Sequence, residues 1–442
     1  MLAPPVLSLL DLDAVGEGST DPLSLSTIYE RLADRVLPAV TVRMGRIRFV
    51  TAMCAAARVC RDFDEDIVAK DGVTPPWLVC EWFVIEALVR TRDTLDDAAR
   101  IPGALKVAHC IRNKRPVTDA TYLKTPKVFG FSGIFRRLAT TLGFLTDDLA
   151  LDDVGYELLR AWERDQGLDG FLDGPDGGAG DGILLRNSMR KAVKAGLDVG
   201  STVIRPREFW SDIAERLQPG RPGGREKVVL RRALRGSHLV AAAHEAGFAD
   251  EVISALIDRG TTIDRTAEPK FLRRVARNAS DALAKHLAAI DAYERLCVPV
   301  AAAFDLVRHM STTAAFGPVT ADQFARHALA PRLITLLADG RKAVEDDPKL
   351  LEWEPDVRTL LESFGEVRRP GDLFDAVVDH HYRTQQAKPP DGKRPWVERL
   401  GSSVILRTAY PVPERPSIAD SYVHDYRTST LSRFLRDLGQ VS

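Results

Sequence analysis

Residues 269–310 read "PKFLRRVARNASDALAKHLAAIDAYERLCVPVAAAFDLVRHM", and this stretch decides the fold class. Apolar side chains recur along it every three or four residues, which is the period of one face of an α-helix. The pattern lasts long enough to predict one or two extended helices, and the frequent alanines predict that these helices pack closely. Residues 236–370 keep the same period, so we expect this whole region to be helical.

The first hundred residues carry helical signals of their own. In "LSLSTIYERLADRVLP" a serine N-cap candidate precedes Ile28, Leu32 and Val36, and Pro38 ends the run. Residues 46–63 are apolar almost all round, and residues 74–93 begin with prolines that suit a first helical turn. We therefore predict an N-terminal helical domain over residues 1–120.

Composition bounds the class of protein and the kind of partner. The chain has 442 residues, of which 45% are hydrophobic, so it can bury more than one core and is not a disordered chain. Its 61 basic and 62 acidic side chains give a net charge of −1, so no global field attracts nucleic acid or anionic lipid. A charged partner such as nucleic acid would therefore have to bind to a local patch of opposite charge.

The five cysteines form neither a disulfide framework nor a zinc-ligand pattern, because no CxxC pair and no Cys/His cluster is present. We expect no metal and no cofactor. The N-terminus lacks the basic region of a signal peptide, and no run reaches the length of about 18 apolar residues that a membrane span needs. The sequence therefore predicts a cytoplasmic protein that makes no membrane contact.

Residues 131–168, "FSGIFRRLATTLGFLTDDLALDDVGYELLRAWERDQGL", predict a helix, a turn, a short β-like "LAL", an acidic turn and a second helix. This order resembles a winged-helix module over residues 128–170, with Leu142, Gly143, Phe144, Leu149, Leu151, Gly155 and Leu158 in comparable places. The resemblance implies that Lys124, Lys127, Arg136 and Arg137, on or before the first helix, contact DNA. The alternative is a protein-docking or structural module whose arginines are solvated or paired with aspartates.

A stretch rich in glycine and aspartate, "LDGFLDGPDGGAGDGI", follows at residues 168–183. It lacks the Lys-Ser or Lys-Thr that closes a phosphate-binding loop and the aspartate spacing of a calcium loop. We predict that residues 171–182 are a flexible linker and a domain boundary.

Residues 181–235 hold thirteen Lys or Arg against six acids. Arg186, Arg190 and Lys194 recur at helical spacing, which predicts a basic stripe on one helix face, and Arg231 and Arg232 follow on a second basic helix. Such a stripe is the footprint that a polyanion needs. The alternative is that an acidic face of another domain covers it.

The C-terminal region predicts a small mixed unit. "GDLFDAVVDHHYRTQQAK" is an amphipathic helix, "PWVERLGSSVILRTAY" is a hairpin around Gly401, and "YVHDYRTSTLSRFLRDL" is a closing helix. Arg383, Lys388, Lys393 and Arg394 flank the hairpin and can meet phosphates. His380 and His381 point different ways on a helix, so they do not share one metal easily.

A search for catalytic motifs finds no HExxH, GxSxG, Walker loop or dinucleotide fingerprint. "DRTAEPK" supplies Asp264, Glu268 and Lys270 in the order of a metal-dependent nuclease, but no apolar strand carries the glutamate and Pro269 fits a loop better than a sheet. Lone histidines on helices, His286, His309 and His327, are more often core or surface residues than metal ligands.

Two stretches carry a family resemblance. Residues 21–56, "DPLSLSTIYERLADRVLPAVTVRMGRIRFVTAMCAA", and residues 380–398, "HHYRTQQAKPPDGKRPWVE", resemble the ends of uncharacterised bacterial proteins often encoded among anti-phage defence genes. The first stretch has Pro38 and Ala39 where that group usually has Pro-Gly. The resemblance implies a prokaryotic defence or nucleic-acid-associated role and assigns no site residue.

Together these patterns predict a mainly α, multi-domain helical protein with a winged-helix-like segment and a small C-terminal α+β unit. The predicted domains are 1–120, 121–170, the linker 171–182, 183–370 and 371–442. The leading hypothesis is a non-enzymatic DNA-binding or sensing component that contacts double-stranded DNA; the alternatives are a helical interaction scaffold in a larger complex and a cryptic metal-dependent nuclease. The predicted nucleic-acid-binding residues are Lys124, Lys127, Arg136, Arg137, Arg186, Arg190, Lys194, Arg231, Arg232, Arg383, Lys388, Lys393 and Arg394.

Overall fold

The computed structural model describes residues 21–64, 66–91, 101–236, 248–416, 418 and 421–442. Within them the chain is mainly helical, with one small antiparallel sheet, which confirms the predicted fold class. The helices in chain order are α1 (Ser26–Val36), α2 (Phe49–Cys60), α3 (Pro76–Arg90), α4 (Ala104–Arg112), α5 (Pro126–Phe129), α6 (Phe131–Thr141), α7 (Asp153–Gln166), α8 (Asp181–Val199), α9 (Arg207–Leu217), α10 (Gly224–Arg235), α11 (Phe248–Arg259), α12 (Glu268–Ala276), α13 (Asp281–Thr313), α14 (Ala321–Ala325), α15 (Ala330–Glu345), α16 (Pro348–Trp353), α17 (Asp356–Ser363), α18 (Pro370–Gln386) and α19 (Thr428–Asp437). The strands are β1 (Val319–Thr320), β2 (Val397–Leu400) and β3 (Ser403–Leu406).

The chain divides into two compact units. The first unit contains Met1–Ala33 and Asp264–Tyr426, and the second contains Asp34–Ile263 and Arg427–Ser442. The glycine-rich and aspartate-rich stretch 171–182, which the sequence predicts to be a domain boundary, therefore lies inside the second unit.

Helix α13 is the centre of the first unit. It runs for 33 residues, and Ser280 caps it by accepting a hydrogen bond from the Leu283 backbone amide. Helix α15 packs along it so closely that a Cβ at Gly340 would lie 2.3 Å from the Arg295 carbonyl oxygen. The extended, closely packed helices predicted from residues 269–310 are confirmed.

The sheet also belongs to the first unit. Strands β2 and β3 form an antiparallel hairpin in which Val397 pairs with Leu406, and Gly401 turns it with a left-handed φ of 61°. This confirms the predicted hairpin. Strand β1 adds a third, antiparallel strand that pairs Val319 with Val404, which the sequence pattern does not predict.

Helices α2 and α3 form the core of the second unit, and α2 packs against α3, α6, α7 and α8. Both are buried on almost every side, as their apolar sequences predict. A buried ion pair of 2.9 Å joins Arg48, before α2, to Glu226 of α10. Thr51 also donates to Glu226, so that this carboxylate is paired and hydrogen-bonded, as a buried charge must be.

The winged-helix-like segment keeps the predicted order of α6, turn and α7, and Gly143 turns the chain with a φ of 71°. The β-like stretch is reduced to one isolated bridge between Leu145 and Leu151, so the described residues form no two-stranded wing. Gly155 is required where α7 meets the turn, because a Cβ there would lie 2.0 Å from the Phe144 carbonyl oxygen.

None of the helices in the described part of the chain has both the length and the apolar character that crossing a membrane requires.

Candidate functional site: a cleft and a basic groove that share helix α6

Arg186, the first residue of the predicted basic stripe, is a structural residue. Its side chain is fully buried, and it donates hydrogen bonds to the carbonyl oxygens of Gly170 (3.0 Å), Phe171 (2.6 Å) and Gly174 (2.6 Å). The prediction that Arg186 presents its charge on an exposed stripe is therefore wrong. The physical reason is that the turn after α7 folds over the N-terminal half of α8 and needs a donor for its carbonyls.

The same turn corrects the prediction of a flexible linker. Phe171 and Leu172 are buried, and Arg58 donates a hydrogen bond of 2.6 Å to the Leu172 carbonyl oxygen. Arg190, the second residue of the stripe, lies 2.7 Å from Asp176 in this turn and 2.8 Å from Asp62. Of the three stripe residues, only Lys194 is exposed and without an ion pair among the described residues.

Most of the other arginines predicted to bind nucleic acid also have partners within the protein. Among the described residues, Lys124, Lys127, Lys194 and Lys393 have no such ion pair or side-chain hydrogen bond. The observed pairings are Arg136 with the Asp147 carbonyl oxygen, Arg137 with Asp34, Arg231 with the Leu438 carbonyl oxygen, Arg232 with Glu157, Arg383 with Ser363, Lys388 with the Asp21 carbonyl oxygen, and Arg394 with Glu398.

The histidines of the first unit serve its structure. Nδ1 of His381 lies 2.9 Å from the Pro22 carbonyl oxygen, and Nε2 accepts a hydrogen bond of 2.8 Å from the Trp396 amide. Burial lowers the pKa of His381 to about 4, so the ring is neutral at physiological pH. His380 meets the Leu23 carbonyl oxygen instead, so the two neighbours do point in different directions.

Buried acids of the first unit are likewise engaged. Glu268, of the nuclease-like pattern, is fully buried and accepts a hydrogen bond of 2.7 Å from the Tyr426 amide. It opens α12, so Pro269 lies in the first turn of a helix and not in the predicted loop. No group of three or more His, Cys, Asp or Glu side chains in the described residues is placed to hold a metal ion.

A cleft of about 550 Å³ lies in the second unit, lined by residues of α2, α3, the start of α6, and the segment 145–151. We call it the cleft. Glu81 of α3 lines it with a side chain that is 3% exposed. Its Oε1 accepts a hydrogen bond of 2.7 Å from the Tyr122 hydroxyl, and its Oε2 accepts one of 3.3 Å from the Ser132 amide.

Glu81 thereby caps α6. Gly130, at the N-cap position of that helix, provides no side chain, and a Cβ there would lie 2.3 Å from Oε1 of Glu81. The carboxylate of Glu81 takes over the capping role, because it accepts from an amide of the first turn and faces the positive end of the helix dipole.

Burial raises the pKa of Glu81 to about 7, even though the hydrogen bonds from Tyr122 and from the start of α6 favour the charged form. Burial and the neighbouring Glu81 charge also raise the pKa of Tyr122 well above its ordinary value. A carboxyl group that changes charge near neutral pH at the wall of a cleft is a feature typical of functional sites.

The remaining lining of the cleft is aromatic, apolar or charged. Phe63, Trp77 and Tyr156 are half-buried, so part of each ring faces open space. The exposed charged residues of the lining are Arg61, Asp64 and Asp148.

A second depression of about 650 Å³ lies between residues 42–45, the start of α4 and α6. We call it the basic groove. The charged residues that line it are Arg43, Lys106 and Arg433, and no acidic residue occurs in its described lining. Val42 and Leu105 contribute exposed apolar surface.

The segment that leads into α6 extends this basic surface. Lys124 and Lys127 are exposed, and the guanidinium of Arg43 lies 4.8 Å from the centre of the exposed Phe129 ring. Arg43, Lys106, Lys124 and Lys127 form no ion pair with any described residue. The sequence-based prediction includes the two lysines but neither Arg43, which begins the short basic run of Arg43, Arg46 and Arg48, nor Lys106, which has no basic Lys or Arg within four residues.

Helix α6 connects the two sites. Phe131 and Ser132 line the cleft, and Ile134 of the same helix lines the basic groove. Glu81 accepts a hydrogen bond from the first turn of α6, and the residue of α6 that lines the groove, Ile134, belongs to the same turn.

No protein-family model, curated protein or solved structure matches this chain.

Proposed function

We propose that the protein is a DNA-binding component that responds to a small molecule, with the basic groove as the DNA contact and the cleft as the sensing site. The observation that carries the proposal is the set of four exposed bases, Arg43, Lys106, Lys124 and Lys127, that have no acidic partner among the described residues. Phosphate contacts provide most of the affinity for nucleic acid, and they require basic side chains that are free to make them.

The paired arginines support the same assignment by contrast. Arg137, Arg190 and Arg232 each lie within ion-pair distance of a carboxylate of the second unit. A phosphate would have to displace that carboxylate, so these residues offer less binding free energy than an unpaired base. The proposed DNA-binding surface is thus smaller than the sequence predicts and is formed by Arg43, by Lys106 of α4, and by Lys124 and Lys127 at α5.

The sensing part of the proposal rests on α6. A ligand in the cleft meets Glu81, and Glu81 holds the start of the helix that borders the groove. Binding at one site can bias the other only if it changes such a shared element.

The setting we propose is a prokaryotic defence system, which the resemblance of residues 21–56 and 380–398 favours. The five cysteines are all free thiols, which supports a reducing, cytoplasmic compartment. Other proteins of a complex are the partners in the competing proposal, an interaction scaffold, which the exposed apolar side chains of Val42, Leu105 and Phe129 support.

A fluorescence-anisotropy titration with a labelled duplex at two salt concentrations tests the DNA contact. Lys124→Glu with Lys127→Glu should weaken binding to every sequence and reduce the slope of log affinity against log salt by about 2. The matched control is Lys191→Glu with Lys194→Glu, which makes the same charge change on two exposed lysines of α8. An equal loss of duplex affinity in both double variants, or no duplex binding by the wild-type protein at low salt, would contradict the proposal. The interaction scaffold would then be the remaining candidate function.

A further inference from the structure

The charges that line the cleft are unbalanced. Glu81, Asp64 and Asp148 are acidic, and Arg61 is the one basic residue of the described lining. The Asp148 carboxylate accepts a hydrogen bond from the Thr146 hydroxyl, which holds the pKa of Asp148 below its ordinary value. A ligand that carries positive charge is therefore favoured at this site over an anion of the same size.

Three aromatic rings add a second and independent signal. Phe63, Trp77 and Tyr156 line the cleft, each is half-buried, and none makes a ring–ring or cation–ring contact with another described residue. Aromatic faces attract ammonium groups through the ring quadrupole, most strongly for tryptophan. A cavity lined by both aromatic rings and a carboxylate has the two features that suit an organic ammonium ion.

The rest of the lining defines the body of the ligand. Met53, Val84, Leu145 and Leu151 present apolar surface, and the volume of about 550 Å³ is that of a site for a drug-sized molecule. A bare metal ion or a small inorganic cation would leave this surface wet, whereas an apolar or aromatic group would cover it.

We infer that the cleft binds an organic cation, an ammonium group on an apolar or aromatic body, with Glu81 as its counter-ion and Trp77 as its main aromatic contact. This inference rests on the proposed function, because it names the ligand class to which the DNA-binding component responds. The hydrogen bonds from Tyr122 and Ser132 favour the charged form of the Glu81 carboxyl, and a cation bound beside it would favour that form further.

Calorimetric titration with three matched probes tests the inference: phenethylammonium, phenethyl alcohol and phenylacetate, which share a ring and differ in charge. The wild-type protein should bind the ammonium probe at least about tenfold more tightly than either of the others. Glu81→Gln and Trp77→Ala should each reduce the affinity for the ammonium probe by about tenfold. The matched control is Glu86→Gln, since Glu86 lies on the same helix, pairs with Arg90 and does not line the cleft.

Three results would overturn the organic-cation inference: binding of the alcohol or of phenylacetate as tightly as the ammonium probe, binding of none of the three, or equal losses in Glu81→Gln and Glu86→Gln. Circular dichroism of each variant verifies that it is folded. If Glu81→Gln does not fold, Trp77→Ala decides the question, and an unchanged affinity in that variant would overturn the inference. Failure of the proposed function would appear separately, as an absence of duplex binding by the wild-type protein without any probe.

Discussion

The hydroxyl of Tyr122 donates a hydrogen bond of 2.7 Å to Oε1 of Glu81, a residue that lies 41 positions earlier in the chain. The Ser132 amide meets the other carboxylate oxygen of Glu81, so this one side chain forms a wall of the cleft and the cap of α6. Because Ile134 of α6 lines the basic groove, a single helix connects Glu81 with the proposed DNA contact.

Glu81 makes stability depend on pH. Burial raises the pKa of its carboxyl from an ordinary value of 4.5 to about 7, so the folded state favours the protonated form. The resulting stabilisation is complete below the unfolded pKa and is lost as the pH rises through about 7, a loss of about 3 kcal/mol for this group alone. The pKa of Tyr122 lies well above this pH range, so its ionisation does not contribute. The other charged residues of the cleft, Arg61, Asp64 and Asp148, are present both in the wild-type protein and in a variant at position 81, so a comparison of the two isolates the effect of Glu81.

Replacing Glu81 with Gln should therefore flatten the pH dependence of the free energy of unfolding. Urea denaturation of both proteins at about pH 5 and about pH 8 measures this pH dependence. If the free energy of unfolding fell by the same amount between the two pH values in both proteins, Glu81 would not be the source of the pH dependence.

The capping role of Glu81 predicts an effect on DNA binding. In Glu81→Gln only one side-chain oxygen remains, so the residue can no longer accept hydrogen bonds from both Tyr122 and Ser132, which weakens the hold on the first turn of α6 without changing any charge in the groove. We expect duplex affinity to fall about threefold, a size typical of coupling through one shared element. Glu86→Gln is the control, and an affinity equal to the wild type in Glu81→Gln would show that α6 transmits nothing.

Gly130 should not tolerate a side chain. A Cβ there would meet Oε1 of Glu81 at 2.3 Å and the Pro126 carbonyl oxygen at 2.8 Å, so Gly130→Ala should reduce the free energy of unfolding by about 1–3 kcal/mol. Gly224→Ala is the matched control, because it begins α10 with no heavy atom within 4 Å of its Cβ and should be neutral or mildly stabilising. Chemical denaturation distinguishes the two, and an unaffected Gly130→Ala would mean that the carboxylate does not hold this turn.

Arg186 provides a test of the corrected stripe. Arg186→Ala leaves the carbonyl groups of Gly170, Phe171 and Gly174 without their donor, which should cost about 2–4 kcal/mol of stability. Lys194→Glu on the same helix should change stability by about 0.5 kcal/mol or less. Urea denaturation measures both effects. If Arg186→Ala were as stable as the wild type, the turn would not depend on this residue, and the hypothesis that Arg186 binds nucleic acid would have to be considered again.

Local patterns predict the helices and the hairpin because the information for them is local. The apolar period of residues 269–310 specifies α13, and Gly401 between two short apolar runs specifies the β2–β3 turn. The pairing of β1 with β3 joins residues about 84 positions apart, and a two-residue strand has no pattern of its own to reveal it.

The candidate sites are less predictable, because they depend on burial and on distant partners. Helical spacing places Arg186 and Arg190 on one face of α8 correctly, but it does not show that the turn at 170–176 covers that face. A glutamate inside the apolar run "WLVCEWFVIEALV" is a visible signal for Glu81, whereas its partners Tyr122 and Ser132 have none. Arg43 and Lys106 join the lysines at α5 only in the folded chain.

If DNA lies against the basic groove, a bound duplex should shield the lysines there from acetylation, and parallel acetylation reactions with and without duplex DNA test this directly. Mass spectrometry would report the modification of Lys106, Lys124 and Lys127 at the groove and of Lys191 and Lys194 on α8, all five of which are exposed. A saturating duplex should protect Lys106 in the groove and Lys124 and Lys127 beside it, and it should leave the two α8 lysines unchanged. Protection of Lys191 and Lys194 without protection of Lys106, Lys124 and Lys127, or no change at any of the five, would contradict it.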